Sequence, residues 1–294
     1  MNRLQKLSVV LMALGLMCLT GCGTWFGTVA ADVLVPVEDE VELGHQLSEQ
    51  LEEELVFSDD EVLTEYVEDL GFEVLEHADR THEALEFEFH LVADDEMINA
   101  FAIPGGGIYV YTGLIKAMDN EAELTAVIGH EIAHVTRRHI AQRLVAAYGA
   151  DVVAKMALGE EPGIVGQLVT AVAQQGFMLS YSREQERDAD EWGVEYQSAA
   201  GYDPNGFITF FEKLAGRASP PTFLSTHPTP DERIENIQSH IDELESPGTR
   251  LEEERFLQMR DRIGAEPVAN GNDETDSDSE EDSDSEEESE SASD

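Results

Sequence analysis

The chain has 294 residues, enough for one substantial core with appendages. Its 63 acidic residues against 17 basic ones leave a net charge of −46. A surface this negative excludes nucleic acid as a partner, and its self-repulsion is tolerable only where salt screens it.

The N-terminus has the form of an export signal. Arg3 and Lys6 precede an apolar run over residues 7–19, too short for a membrane span of ~20 residues. Leu19-Thr20-Gly21-Cys22 follows and resembles the bacterial lipobox, in which cleavage exposes a cysteine that carries lipid. Cys18 would leave with the signal, so Cys22 is the lone cysteine of the mature chain; no disulfide is expected and lipidation accounts for the thiol. Residues 1–21 are thus read as signal, 22–36 as tether and 37–264 as the folded domain.

Residues 39–55 and 59–79 carry helical spacing with dense acids on the outer face. Residues 86–92 alternate as a half-buried strand, with Phe87 and Phe89 inward. Residues 99–103, the Pro104-Gly105-Gly106-Gly107 turn and residues 108–112 read as strand, turn, strand. No Gly-Lys-Ser/Thr follows that turn, so it is no phosphate loop. Asn120 and Glu123 form a capping box opening a helix that runs to about Tyr148.

That helix carries His130-Glu131-Ile132-Ala133-His134. Residues four apart share one helix face, so both imidazoles can grip one metal ion, and Glu131 sits about 100° further round. Zinc with two His ligands and a nearby carboxylate base is the working unit of metal-assisted peptide hydrolysis. A catalytic zinc needs a third protein ligand and one open position. The mostly helical stretch 163–201 offers Glu184, Glu186, Asp188 and Asp190, which equally suit a solvated acidic face. Thr229-Pro230-Asp231-Glu232 starts another helix. His139 is off the ligand face and suits packing or support of a ligand. His45, His77, His82, His90 and His240 are expected in solvent, and Met97, Met118 and Met156 in the core. Residues 265–294 hold 14 acids and no base and are expected to be disordered.

Several motifs occur in a fixed order. They are Asn99-Ala100-Phe101-Ala102-Ile103-Pro104-Gly105-Gly106, Thr112-Gly113-Leu114, Asn120-Glu121-Ala122-Glu123-Leu124, HEIAH and Arg138-His139. Tyr181-Ser182-Arg183-Glu184-Gln185-Glu186 with Ala189-Asp190 follows, then Ser225-Thr226-His227-Pro228 with Arg233-Ile234. Over roughly residues 40–245 this order resembles the zinc metallopeptidase family of the HtpX-like membrane protease, the CAAX prenyl protease and the periplasmic proteases LoiP and BepA. The lack of a several-helix membrane body points to the soluble LoiP/BepA-like branch.

The resemblance implies an α+β, mainly α-helical, gluzincin-type metallopeptidase domain with a small β-sheet bordering the active-site helix. It implies one zinc per chain on His130, His134 and Glu186, with Asp190 hydrogen-bonding a ligating His and Glu131 as general base. It brings His227 to the cleft, to stabilise an oxyanion or to occupy the open zinc position at rest; the bland alternative is a turn-holding histidine. Arg233 contacts substrate or pairs with an acid. The edge of the strand with Ile108, Tyr109 and Val110 is expected to pair with extended polypeptide substrates.

The expected function is a zinc-dependent endopeptidase for misfolded or unassembled envelope proteins. It would be lipid-anchored through Cys22 outside the cytoplasm, at the outer membrane facing the periplasm if the cell has two. The rival is a chaperone binding extended chains with a closed zinc site. The acid excess itself resembles halophilic proteins.

Overall fold

The computed structural model describes residues 35–264 except 80, 176–179, 218–220 and 228–229. The signal, Cys22, the tether up to residue 34, Thr229 and the acidic tail lie outside the described residues. The fold is α+β and mainly helical around one three-stranded sheet.

Helices α1 (Val37–Glu54) and α2 (Glu61–Leu75) come first, α2 capped by Asp60, whose side chain accepts from the Leu63 amide. Both bury one apolar stripe, Leu43, Leu47 and Leu51 in α1 and Leu63, Val67, Leu70 and Val74 in α2, and turn most of their acids outward, Glu40 being the buried exception. Strands β1 (Glu88–Val92), β2 (Ala100–Ala102) and β3 (Gly107–Tyr111) follow, with a 3₁₀ turn, Pro104–Gly106, between the last two. The spatial order is β1-β3-β2, with β1 parallel and β2 antiparallel to β3.

After the short α3 (Thr112–Lys116), helix α4 (Glu121–Thr136) runs through the centre with every residue buried. Asn120 caps it by accepting from the Glu123 amide at 3.0 Å. The Glu123 carboxylate answers one residue early, on the Asp119 amide, and also holds Lys213. The expected helix to Tyr148 is in fact two. Arg138 adopts a left-handed conformation, φ 56° and ψ 32°, and α5 (His139–Tyr148) starts in a new direction. Helices α6 (Ala150–Ala157) and α7 (Pro162–Gln175) lie outside α1, and α8 (Arg183–Ala199) packs along α4. Helices α9 (Asn205–Ala215), α10 (Thr222–Thr226), α11 (Pro230–Glu243) and α12 (Glu253–Arg260) complete the described residues. Among the described residues no helix is long and apolar enough to cross a membrane.

The contact of α4 with α8 positions the site. Gly129 and Gly193 face each other across it: a Cβ built on Gly193 would lie 3.0 Å from the His130 amide, and one on Gly129 3.1 Å from the Gly193 carbonyl. Larger residues would wedge the helices apart, because a packed interior has no slack for a methyl group.

Candidate metal centre

Helix α4 supplies His130, Glu131 and His134, α8 supplies Glu186 and Asp190, and the segment after α10 supplies His227. Ser182 and Gln185 form a capping box at the start of α8, so the helix begins one turn before Glu186. The close approach at Gly129 and Gly193 then brings Glu186 and Asp190 against the two histidines.

His130, His134, Glu186 and His227 each turn one ligand atom into a common point, all within 4.8 Å of one another. His130 Nε2 lies 3.0 Å from His134 Nε2 and 3.1 Å from His227 Nδ1. Glu186 Oε1 lies 3.1 Å from His227 Nδ1 and 3.5 Å from His134 Nε2. Donors ~2.0–2.1 Å from a tetrahedral zinc stand ~3.3 Å apart, so these separations fit that ion. The protonation states fit too. Burial holds both His130 and His134 well below the ordinary imidazole pKa, with Arg233 adding to the effect on His130. Burial works against ionised Glu186, but the charges of His227 and Arg233 outweigh it and hold its pKa well down. Neutral imidazoles and an ionised carboxylate are what a cation requires.

Around these atoms the polar groups are paired. Asp190 Oδ1 is 3.0 Å from His130 Nδ1, leaving the other ring nitrogen for the cluster. Arg233 donates to both Asp190 oxygens, and its Nη1 lies 2.7 Å from Glu186 Oε2. Glu131 is the exception. It is fully buried, neither oxygen meets a well-aligned donor although the Ala102 amide approaches it, and burial raises its pKa to about 7. His227 Nε2 is 3.3 Å from its Oε1. Burial alone would lower the His227 pKa, yet Glu186 and Glu131 together raise it.

The model of peptidase family M48 matches residues 61–241. The chain belongs to peptidase family M48. Similar proteins include a beta-barrel assembly-enhancing protease of Escherichia coli, 30% identical over 253 residues, or 81% of this chain and 51% of that protein. The mitochondrial metalloendopeptidase OMA1 of Schizosaccharomyces pombe is 32% identical, covering 55% of this chain and 48% of its own. The metalloprotease LoiP of Escherichia coli is 36% identical over 49% of this chain and 59% of its own. This M48 chain spans about half the length of the first of these relatives.

Two expectations for the M48 site are corrected. Strand β3, with Ile108, Tyr109 and Val110, is the middle strand and offers no edge, because β1 and β2 pair with it on either side. Tyr109 is further locked by rings of His90 and Phe101 at 4.5 and 4.8 Å and by its hydroxyl on Ser48. The edge is β2. The Ile103 amide donates to Gly107 and the Tyr111 amide to Asn99, so residues 99, 101 and 103 spend their polar groups on β3 while Ala100 and Ala102 turn theirs away from it, the Ala102 amide towards Glu131. Arg233, expected at the substrate, is buried with its guanidinium committed to Asp190 and Glu186; the acid-pairing alternative is what the geometry shows.

Elsewhere, His90 and His240 are half-buried and not fully in solvent: His90 packs between Phe57 and Tyr109, where burial lowers its pKa, and His240 lies beside Glu195. His45, by contrast, is 55% exposed beside Glu86. Met118 and Met156 are in the core and Met97 borders it. Sequence reasoning missed Gly129 and Gly193, whose only signal was a glycine inside each helical pattern, and left Ala100 and Ala102 without a role.

Proposed function

We propose that this M48 chain is a zinc-dependent endopeptidase acting on extended segments of polypeptide. The observation that carries this is the meeting of His130, His134 and Glu186 at one buried point, with the buried carboxylate of Glu131 beside it. His130 Nε2, His134 Nε2 and Glu186 Oε1 would hold the ion, Oε2 of Glu186 being occupied by Arg233. When bound, zinc supplies Lewis-acid polarisation of a carbonyl and lowers the pKa of water to ~7.

The protein's own groups do the rest. Glu131, buried beside the cluster, accepts the proton of the attacking water and passes it to the leaving amine. Asp190 fixes the tautomer of His130, and Arg233 helps to keep Glu186 ionised and offsets part of the burial that raises the Asp190 pKa. The backbone of Ala100, on the side of β2 turned away from β3, is suited to pair with a substrate backbone, which demands little of its side chains. That suits misfolded or unassembled envelope proteins. Lipid attachment at Cys22 and a position outside the cytoplasm complete the proposal.

His227 occupies the fourth position of the cluster, and its segment leans on the entry to β2, the Phe223 amide donating to the Ile98 carbonyl at 3.1 Å. Both support a resting state in which His227 must leave before substrate enters. His227→Ala is expected to raise turnover of an unfolded protein and to weaken zinc binding. A fall in kcat at unchanged zinc affinity would assign His227 to the oxyanion instead.

The decisive experiment is cleavage of casein at low and high salt, with zinc content measured and Glu131→Gln as control. Zinc-dependent cleavage lost in that variant supports a protease. Binding of unfolded chains that survives Glu131→Gln, with no cleavage at any salt, supports the chaperone.

A further inference from the structure

Beyond the metal cluster, a chain of side chains leads from His134 towards the surface. His134 turns Nε2 into the cluster, and its Nδ1 lies 3.0 Å from Nδ1 of His139. His139 Nε2 lies 3.1 Å from Asp188 Oδ2, which also accepts from Arg137 Nε at 2.9 Å. A carboxylate only accepts, so His139 carries its proton on Nε2 and offers a lone pair at Nδ1. Two ring nitrogens at this distance share one proton, so His134 must donate it from Nδ1. His134 Nε2 is thereby left unprotonated, the form a metal ion needs.

The backbone delivers His139 to this place. On a continuous helix, a residue five positions after His134 would lie about 140° around the axis from it. The left-handed turn at Arg138 ends α4 and starts α5 at His139, so the His139 ring faces back onto His134. A long side chain in that conformation is costly and persists only where its surroundings hold it. Here the buried Arg138 guanidinium donates to Glu40 at 2.9 Å and to the Val35 carbonyl at 2.7 Å. On its other side His134 is stacked against the Tyr181 ring, centroids 3.7 Å apart.

We infer that His139, oriented by Asp188, is a positioning residue that fixes the tautomer and direction of His134 for metal binding. This rests on the reading of His134 as a ligand of the metal. Partners of this kind typically account for 10–100-fold in metal affinity.

The test is zinc affinity, by competition with a chromophoric chelator, and the visible spectrum of the Co²⁺-loaded protein. His139→Phe is expected to bind zinc ~10–100-fold more weakly, with a changed Co²⁺ spectrum. His139→Gln, whose amide can accept from His134 and donate to Asp188, is expected to recover most of that affinity. Asp188→Leu, at a side chain 32% exposed, is expected to weaken zinc as well, and the two losses should not add. Should His139→Phe fail to fold, His139→Gln and Asp188→Leu carry the comparison. Unchanged affinity in His139→Phe and Asp188→Leu, or equal losses in the Phe and Gln variants, would overturn the inference. A wild-type protein that binds no zinc, or zinc binding that survives His134→Ala, would instead remove the metal site beneath it.

Discussion

Glu131→Gln is expected to lower kcat/KM by about 10²–10⁴-fold while making the metal-free protein more stable at pH 8. The loss follows from removing the carboxylate proposed to move the proton. The gain follows from the same burial. The folded-state pKa of Glu131 is raised from 4.5 to about 7, so the folded protein binds this proton more tightly than the unfolded chain does. Its favourable contribution is therefore complete below pH 4.5 and is lost as pH rises through 7. The difference amounts to about 3 kcal/mol. Glutamine resembles the protonated acid, so wild type and variant should match at pH 4.5 and diverge by pH 8. Urea melts of chelator-treated protein at both pH values check this. Equal stability at both would mean that Glu131 is solvated and not poised. Catalysis needs the ionised form, so kcat/KM in the wild type should rise with pH along an acid limb that a bound cation moves below the value of the metal-free protein.

How far such a site can be read from sequence depends on whether its geometry is local. The pair His130 and His134 is local: a four-residue spacing on a helix puts two rings on one face, as the structure shows. Glu186 is not. Four acids on α8 were equivalent from their own pattern, and family resemblance chose among them. What selects Glu186 physically is the approach of α8 to α4 at two glycines 64 residues apart in sequence. The strands were legible as strands, because alternation is local, but strand order is not, and β3 ends between its neighbours. The break at Arg138 was invisible for a similar reason. No glycine or proline marks it, and an ion pair to Glu40, 98 residues away, helps to hold it. His90 was placed in solvent from its acidic neighbours, whereas the rings that cover it come from Phe57 and Tyr109.

Arg233→Leu is expected to cost about 3–5 kcal/mol, more than the loss of any exposed ion pair in this chain. The guanidinium is buried, takes both Asp190 oxygens, reaches Glu186 Oε2 at 2.7 Å and lies over the Phe211 ring at 4.5 Å. Removing it strands two carboxylates where water cannot replace the lost donors. Arg233→Lys should be nearly as harmful, since one point charge cannot serve two carboxylates in a fixed fork. Burial already pushes Glu186 towards protonation, and Arg233 with His227 holds it ionised, so without Arg233 its pKa rises. Zinc must then compete with a proton, and its affinity in the variant should fall more steeply at pH 6 than at pH 8. Urea melts and zinc titrations at the two pH values read both effects. A substrate-contacting arginine behaves differently: its loss raises KM and leaves unfolding and zinc affinity where they were. Salt separates the cases again, because an ion pair closed off from solvent is screened far less than the exposed Arg183–Glu232 pair.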